Sequence, residues 1–401
     1  FGHNDDVLAA VNNVVPPNRI NGLDNINVTL TDDPTTAQIV LVIAQTGTGK
    51  VTATTDATEV NLSDYSAISG TGHVLTIPTL VDDSLAAADL KTLDAATTET
   101  ITLDPTTATL ASPTISSSSY ADVLSVLSSS GISGLGSAAV TVSGTITVAE
   151  ANDINALTDG AITATISTTD VSTLKTLTAN SGSTANAYTI EVTTASANAS
   201  DLNTIDALTS VAVVVTDVTT VTGTLSDTHT LYENKANFTG LGSEAVTVTS
   251  TTIDANLLTE LNADTDQLIT FSNTITAMTG DAAQIHTLLD LNTTGAEITG
   301  IDLTGTFTLS GDSTNNVIVA TDLNSIDALV SSVVQIDSSA VTLQGAYADV
   351  EDALTASKLV ADATADTTGV ETVTIASLEG LAIELTGTTA LADYQDIQNN
   401  Y

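Results

Sequence analysis

The sequence predicts a repeat solenoid: stacked parallel β-strands with a short helix or turn per coil. Three observations carry that expectation. One segment recurs along the whole chain, β-branched alternating runs return at near-regular intervals, and small side chains dominate the composition. Threonine makes up nearly a fifth of the 401 residues, and aromatics only 3%. Large globular cores need more aromatic volume than that. Thin coils do not, because Val, Ile, Leu, Ala and Thr fill a narrow interior and Thr also suits exposed strand faces.

The recurrence comes first in the argument, because a missed period misreads the whole fold. ASDLNTIDALTSVAVVV (199–215) returns as TDLNSIDALVSSVVQI (321–336) and AADLKTLDAATTETITL (87–103). Weaker copies stand at 150–166, 254–271 and 37–54, and ADYQDIQNNY repeats its start at the end of the chain. Aligned positions are Ile43, Leu93, Ile154, Ile205, Leu261, Ile326 and Ile397. About seven units of roughly 59 residues result. A second motif lies between the copies: YADVLSVLSSSGISGLGSAAVTV (120–142), echoed by FTGLGSEAVTV (238–248) and AYADVEDALTAS (346–357). Each unit therefore holds two half-repeats, and residues 1–401 read as one continuous array with both ends mid-repeat.

Each half-repeat closes on a short β-branched run bounded by Gly, Asp or Thr. Strands are expected near residues 28, 52, 76, 102, 141, 164, 190, 213, 247, 270, 307, 335 and 374. Between them, segments such as 200–208 place Leu202, Ile205 and Leu208 at helical spacing, with Asp201 where a first-turn acid belongs. Connections of about 20 residues suit parallel strands, since antiparallel pairs close through tight hairpins. The alternative is a tandem β-sandwich array, whose repeat would approach about 100 residues with seven strands.

Charge excludes some functions. Six basic residues face 48 acidic ones, for a formal net charge of −42, which repels nucleic-acid phosphates. There is no cysteine, hence no disulfide framework or zinc-thiolate site. A hydrophobic share of 42% does not fit an acidic disordered tail. The longest apolar run, Ile39 to Ala44, is far short of the roughly 20 residues a membrane helix needs, so no membrane insertion is expected. An acidic, lysine-poor surface stays soluble where salt screens self-repulsion, which predicts an extracellular or cell-surface setting.

Candidate chemistry is sparse. AQTGTGKVT (44–52) approaches a phosphate-binding loop, but Ala44 replaces its first glycine and Val51 its Ser/Thr. The aligned slot NALTDGAIT carries Ala161 in place of Lys50, so a coil turn accounts for both. His3, His73, His229 and His286 lie far apart without ligand spacing. Asp94, Asp206 and Asp327 share one repeat position with Asn155 and Asn262. Such a series fits a structural turn or a stacked ladder better than the paired acids of a glycan-cleaving enzyme. No catalytic or cofactor-binding residue is assigned. Calcium is the candidate ligand: it takes carboxylate and carbonyl oxygens, and the loose candidates are Asp32, Asp33, Asp82, Asp83, Asp264 and Asp266.

The units DLNTIDALTSVAVVV, GLGSEAVTVTST and EANDINALTDGAITATIS resemble repeats in giant repetitive cell-surface proteins of marine cyanobacteria, and in related adhesin-like and phage-fibre-like proteins. The resemblance implies a non-enzymatic extracellular structural protein, a segment or subunit of a filament, surface layer or giant surface protein. Both ends fall mid-repeat without a polar capping segment, so self-association head-to-tail, or continuation of a longer chain, is the expected partnership. The alternative is an adhesin or phage-fibre module that binds glycans or a host surface, which predicts an exposed aromatic stripe. The resemblance carries over no catalytic residue, and the Gly-Gly-x-Gly-x-Asp pattern of calcium-roll repeats is missing.

Overall fold

The computed structural model describes residues 25–82, 84–103, 113–302, 304–358, 375–376, 378, 380–387 and 390–400. The chain is α/β: short helices alternate with short strands, and every strand pair with a described register is parallel. The tandem β-sandwich fails on this point, because its sheets are antiparallel. Two compact units form. One comprises Phe1–Glu191 with Thr204–Val213, the other Val192–Asn203 with Val214–Tyr401.

In the first unit, a five-stranded sheet runs in the order Ala187–Thr189, Ile162–Ile166, Ala139–Ile146, Thr114–Ser118, Ser84–Ala86. A three-stranded sheet contains Val28–Thr29, Val51–Thr54 and Val74–Thr76. The second unit holds two five-stranded sheets. One joins Ser196–Asn198, Thr220–Gly223, Ala245–Val248, Ile269–Phe271 and Ile298–Thr299. The other joins Thr252–Asp254, Ala277–Asp281, Thr306–Ser310, Val334–Ile336 and Ile375–Ala376. A smaller sheet joins Val317–Val319, Thr342–Gly345 and Ala382–Leu385. The register offset between paired strands runs from 22 residues (Thr52 with Val74) to 31 (Ile101 with Ile132) over most of the chain.

Register stacks like on like. Val221, Val246, Ile269 and Ile298 form one column, and Met278, Phe307, Val334 and Ile375 another. All eight are fully buried. In the first unit the column is Leu85, Ile115, Val140 and Ile162. A strand of three to five residues cannot enclose these side chains by itself, so each one's shell is completed by the strands on either side.

Most expected strands sit where predicted, with Ala187–Thr189 ending just before residue 190. The strand near 374 falls outside the described residues, beside Ile375–Ala376. A second set was not anticipated. Ser84–Ala86, Ser196–Asn198, Thr252–Asp254 and Val317–Val319 each run straight into a helix. They are three residues long, too short for alternation to show in sequence. Expected helix 200–208 is Ala199–Asp206, with Leu202 and Ile205 fully buried. The aligned positions Ile43, Leu93, Ile154, Leu261 and Ile326 are likewise buried helix residues.

Gly134 and Gly240 explain the GLG motif. Both take positive φ, +95° and +98°, which favours glycine. A Cβ on Gly134 would also stand 2.3 Å from the Leu103 carbonyl oxygen. A Cβ on Gly240 would likewise stand 3.0 Å from the Thr216 Cα.

Candidate functional site

Polar groups in this fold are spent on joining successive strand–helix turns. The helices show the pattern most clearly. Lys91 is the fifth residue of the helix Ala87–Ala96, and its ammonium meets Asp122, third residue of the next helix Tyr120–Leu127, at 2.8 Å. Fifth-residue Asn324 of Ala320–Leu329 donates to the carbonyl of third-residue Asp349 at 2.8 Å. His286, fifth in Ala282–Thr294, meets third-residue Asp322 at 2.9 Å through Nδ1. Tyr120 donates to Asp153 and Tyr347 to Asp396 across the same kind of step, at 2.9 and 2.8 Å.

Histidine therefore has a structural use that spacing in sequence did not reveal. His229 Nε2 lies 2.9 Å from Glu260, and its Nδ1 3.5 Å from Glu233. His286 is bracketed in the same way by Asp322 and Asp290. Because the two carboxylates approach different ring nitrogens, no single point lies among all three groups where an ion could be held. Among the described residues no cluster of three His, Asp or Glu side chains suits a metal. The sequence signal was present in the polar residue of ADLKTLD, TDLNSID and AAQIHTLL, but only the fold shows which neighbour each one reaches.

The acids also serve the helix starts. First-turn carboxylates stand at Asp89, Asp122, Glu150, Asp201, Asp227, Asp322, Asp349 and Asp393. The helices Ala255–Asp264 and Ala282–Thr294 use Asp254 and Asp281 as N-caps instead. Thr36–Thr46 borrows Glu59, whose carboxylate accepts from the Thr36 amide at 2.8 Å. Negative charge at the positive end of a helix dipole is favourable, so much of the acidic excess has a local structural reason.

The calcium candidates do not converge. Asp32 and Asp33 adopt positive φ just ahead of the helix cap Thr35, and Asp32 accepts from the Thr31 hydroxyl. Asp82 accepts from the Leu62 amide at 2.6 Å, and Asp83 lies outside the described residues. Asp264 pairs with Lys235 at 3.2 Å while Asp266 faces solvent. Asn262, the start of that run, turns instead to Glu297 at 2.9 Å. Two members of the Asp94 series reach a following loop rather than one another: Asp94 accepts from Ser129 at 2.8 Å, and Asn155 donates to the Ala179 carbonyl at 3.0 Å. The phosphate-loop resemblance at 44–52 runs in the wrong order, since helix Thr36–Thr46 precedes strand Val51–Thr54, whereas a phosphate loop leads from strand into helix.

Short Asx turns account for further acids. Asp312 accepts from the amides of Asn315 at 2.7 Å, Thr314 at 2.8 Å and Val317 at 3.3 Å. These bonds hold its carboxyl below the usual carboxylate range. With the folded-state value depressed, its contribution is present above about pH 3.8 and lost as pH falls below that point. The stability gap between the wild-type chain and Asp312→Ala is therefore expected to narrow between pH 6 and pH 2.5, measured by paired denaturant titrations. A constant gap would refute this reading of the turn.

One buried acid stands apart. Glu244 is fully enclosed; one carboxylate oxygen accepts from the Gly242 amide at 2.8 Å and the Tyr232 hydroxyl at 3.2 Å, while the other has no partner. Burial, reinforced by Glu244, pushes the Tyr232 phenol strongly upward. The aligned GLGSAAV copy carries Ala138 at the Glu244 position, equally buried. No helix among the described residues is long and apolar enough to cross a membrane. Comparison with protein-family models, curated proteins and solved structures gives no match to this chain.

Proposed function

We propose that the chain is a non-enzymatic structural protein, each of its two units a solenoid, serving as a segment or subunit of an extracellular filament, surface layer or giant surface protein. The observation that carries the reading is the in-register stacking of buried apolar columns, at offsets of 22 to 31 residues over most of the chain and 41 between Val334 and Ile375. A fold of this kind buries its core only between neighbouring turns, so it extends by adding turns. The polar side chains point the same way, because their partners are adjacent helices and loops. The resemblance of the repeats to giant surface proteins and the −42 charge support an extracellular setting.

Self-association would run head-to-tail through strand edges. Ile383, on the last strand of its sheet, is 38% exposed, whereas its register partner Leu343 and next-in-line Ile318 are buried. A strand added beside Ala382–Leu385 would cover it. The glycan-binding alternative is the weaker one: Tyr65, Tyr188 and Tyr232 are buried, and Tyr120 and Tyr347 are tied to carboxylates. Negative-stain microscopy tests the proposal at high protein concentration, with and without calcium. Particles that lengthen into threads are expected. Discrete particles of one size under every condition would remove the self-association, and binding on a glycan array would favour the alternative.

A further inference from the structure

We infer that His73 is an acid-labile latch between two adjacent turns of the first unit, and that its protonation opens the strand pair Val51–Thr54 and Val74–Thr76. Continued by one residue, the register places His73 opposite buried Val51 on one side, and it bridges to buried Thr97 on the other. The ring is enclosed, with 3% of the residue exposed. Its Nδ1 accepts from the Val51 amide at 3.1 Å, and its Nε2 lies 3.1 Å from the Ser69 carbonyl oxygen. An amide can only donate here and a carbonyl only accept, so one neutral tautomer satisfies both, with the proton on Nε2. A second proton must go to Nδ1, where it meets the Val51 N–H head on.

The same join is made elsewhere by side chains that do not titrate in this way. Asn186 accepts from the Ile162 amide at 2.9 Å, one strand on in the same sense, and it too sits just before its own strand. Thr97 accepts from Leu75 and Thr209 from Tyr188, at 3.1 and 2.9 Å. Among the described residues that make this join, His73 is the one whose acceptor nitrogen takes up a proton in mild acid.

The surroundings decide what that proton does. Facing the ring are the Val51 amide, the Ser69 carbonyl and, from the stretch before Val51, the Lys50 ammonium, which is held by the Thr71 carbonyl. None of these is an anion, in contrast to the two carboxylates that bracket His229 and His286. Gly70 lies against the ring as well, and a Cβ there would come within 2.9 Å of Nε2. Burial, with Lys50 adding to it and the Ser69 carbonyl opposing, holds the imidazole below its ordinary value of 6.5. A lowered folded-state value means that the opened segment binds the proton at a higher pH than the closed one. The closed pair is therefore fully favoured above about pH 6.5 and loses ground as pH falls through that value, by up to about tenfold per pH unit.

Hydrogen exchange on the full chain tests the latch, after correction for the intrinsic pH dependence of exchange. Between pH 7.5 and pH 5.5, protection across Val51–Thr54 and Val74–Thr76 is expected to fall several-fold, with about tenfold as the ceiling. The Asn186-latched strand Ile162–Ile166 should hold its protection. His73→Asn, which copies the Asn186 arrangement, should make the first pair insensitive to pH. Equal change in the two strand sets, or the same fall in His73→Asn, would overturn the inference. If His73→Asn is unprotected at both pH values, the wild-type imidazole resonance decides: a Val51 amide signal that does not follow its titration also overturns it.

Discussion

Phe307→Ala is expected to lower the stability of the full chain by about 3–5 kcal/mol, the range for emptying a fully enclosed aromatic site. Phe307 has no exposed surface, and its strand Thr306–Ser310 pairs with Ala277–Asp281 on one side and Val334–Ile336 on the other. Its column neighbours Met278 and Val334 are equally enclosed. The ring is thus shared by three successive turns, and the space it leaves cannot be filled by solvent without wetting both neighbours. Strands held at their backbones by ladder hydrogen bonds have little freedom to collapse inward, so the cavity term stays near its full size. Phe307→Leu keeps most of the volume and should cost under about 1.5 kcal/mol. Urea titrations of both variants give the comparison. A loss below 1 kcal/mol in the alanine variant would mean that the column is not the core described here. In a fold of stacked turns the loss should also be local, with amide protection falling most in the two flanking strands.

The parts of this architecture that sequence reveals are those with an internal period. Val246, Val248 and Ile269 alternate with polar residues, and Leu202, Ile205 and their aligned counterparts return at helical spacing, so the strands and helices that hold them could be placed. The short strands that precede helices could not, because three residues such as Ser84–Ala86 contain no period. The polar joins were hidden for a different reason. Lys91 and Asp122 are 31 residues apart, and His286 and Asp322 are 36 apart. Their pairing depends on how many residues one turn consumes, which varies along the chain with loop length. Acid placement was half legible. First-turn acids such as Asp201 follow from helix capping, whereas the loose calcium candidates were grouped by proximity in sequence, and the fold sends Asn262, Asp264 and Asp266 in different directions. Part of the −42 charge, which composition alone presents as a property of the surface, is accounted for by helix starts and Asx turns.

Threonine has a buried duty beside its surface one, and Thr209→Val should expose it at a cost of about 3 kcal/mol. Thr209 lies just past the helix Ala199–Asp206 and is 8% exposed. Its hydroxyl oxygen accepts from the Tyr188 amide at 2.9 Å and the Val211 amide at 3.1 Å, while its hydrogen goes to the Tyr188 carbonyl at 2.8 Å. One hydroxyl therefore satisfies three backbone groups, two of them on a fully buried residue of the neighbouring strand. Thr97 repeats the arrangement around Leu75, with the Glu99 amide in place of Val211. Valine matches threonine in shape, so packing is kept and the change isolates the hydrogen bonds. Each buried backbone group left without a partner costs about 1–3 kcal/mol, and relaxation of the half-buried Val211 side recovers part of the sum. Thr209→Ser retains the hydroxyl and should lose only the methyl contact, about 1 kcal/mol. The two variants, compared by urea titration, separate the roles. If serine destabilises more than valine, the methyl group carries the position, and the high threonine content reflects strand propensity and packing. If valine is the worse by about 2 kcal/mol, then the threonine that ends this repeat helix is a fixed part of the join between turns, and its recurrence in LDAATT and IDALTS follows from the backbone groups it must satisfy.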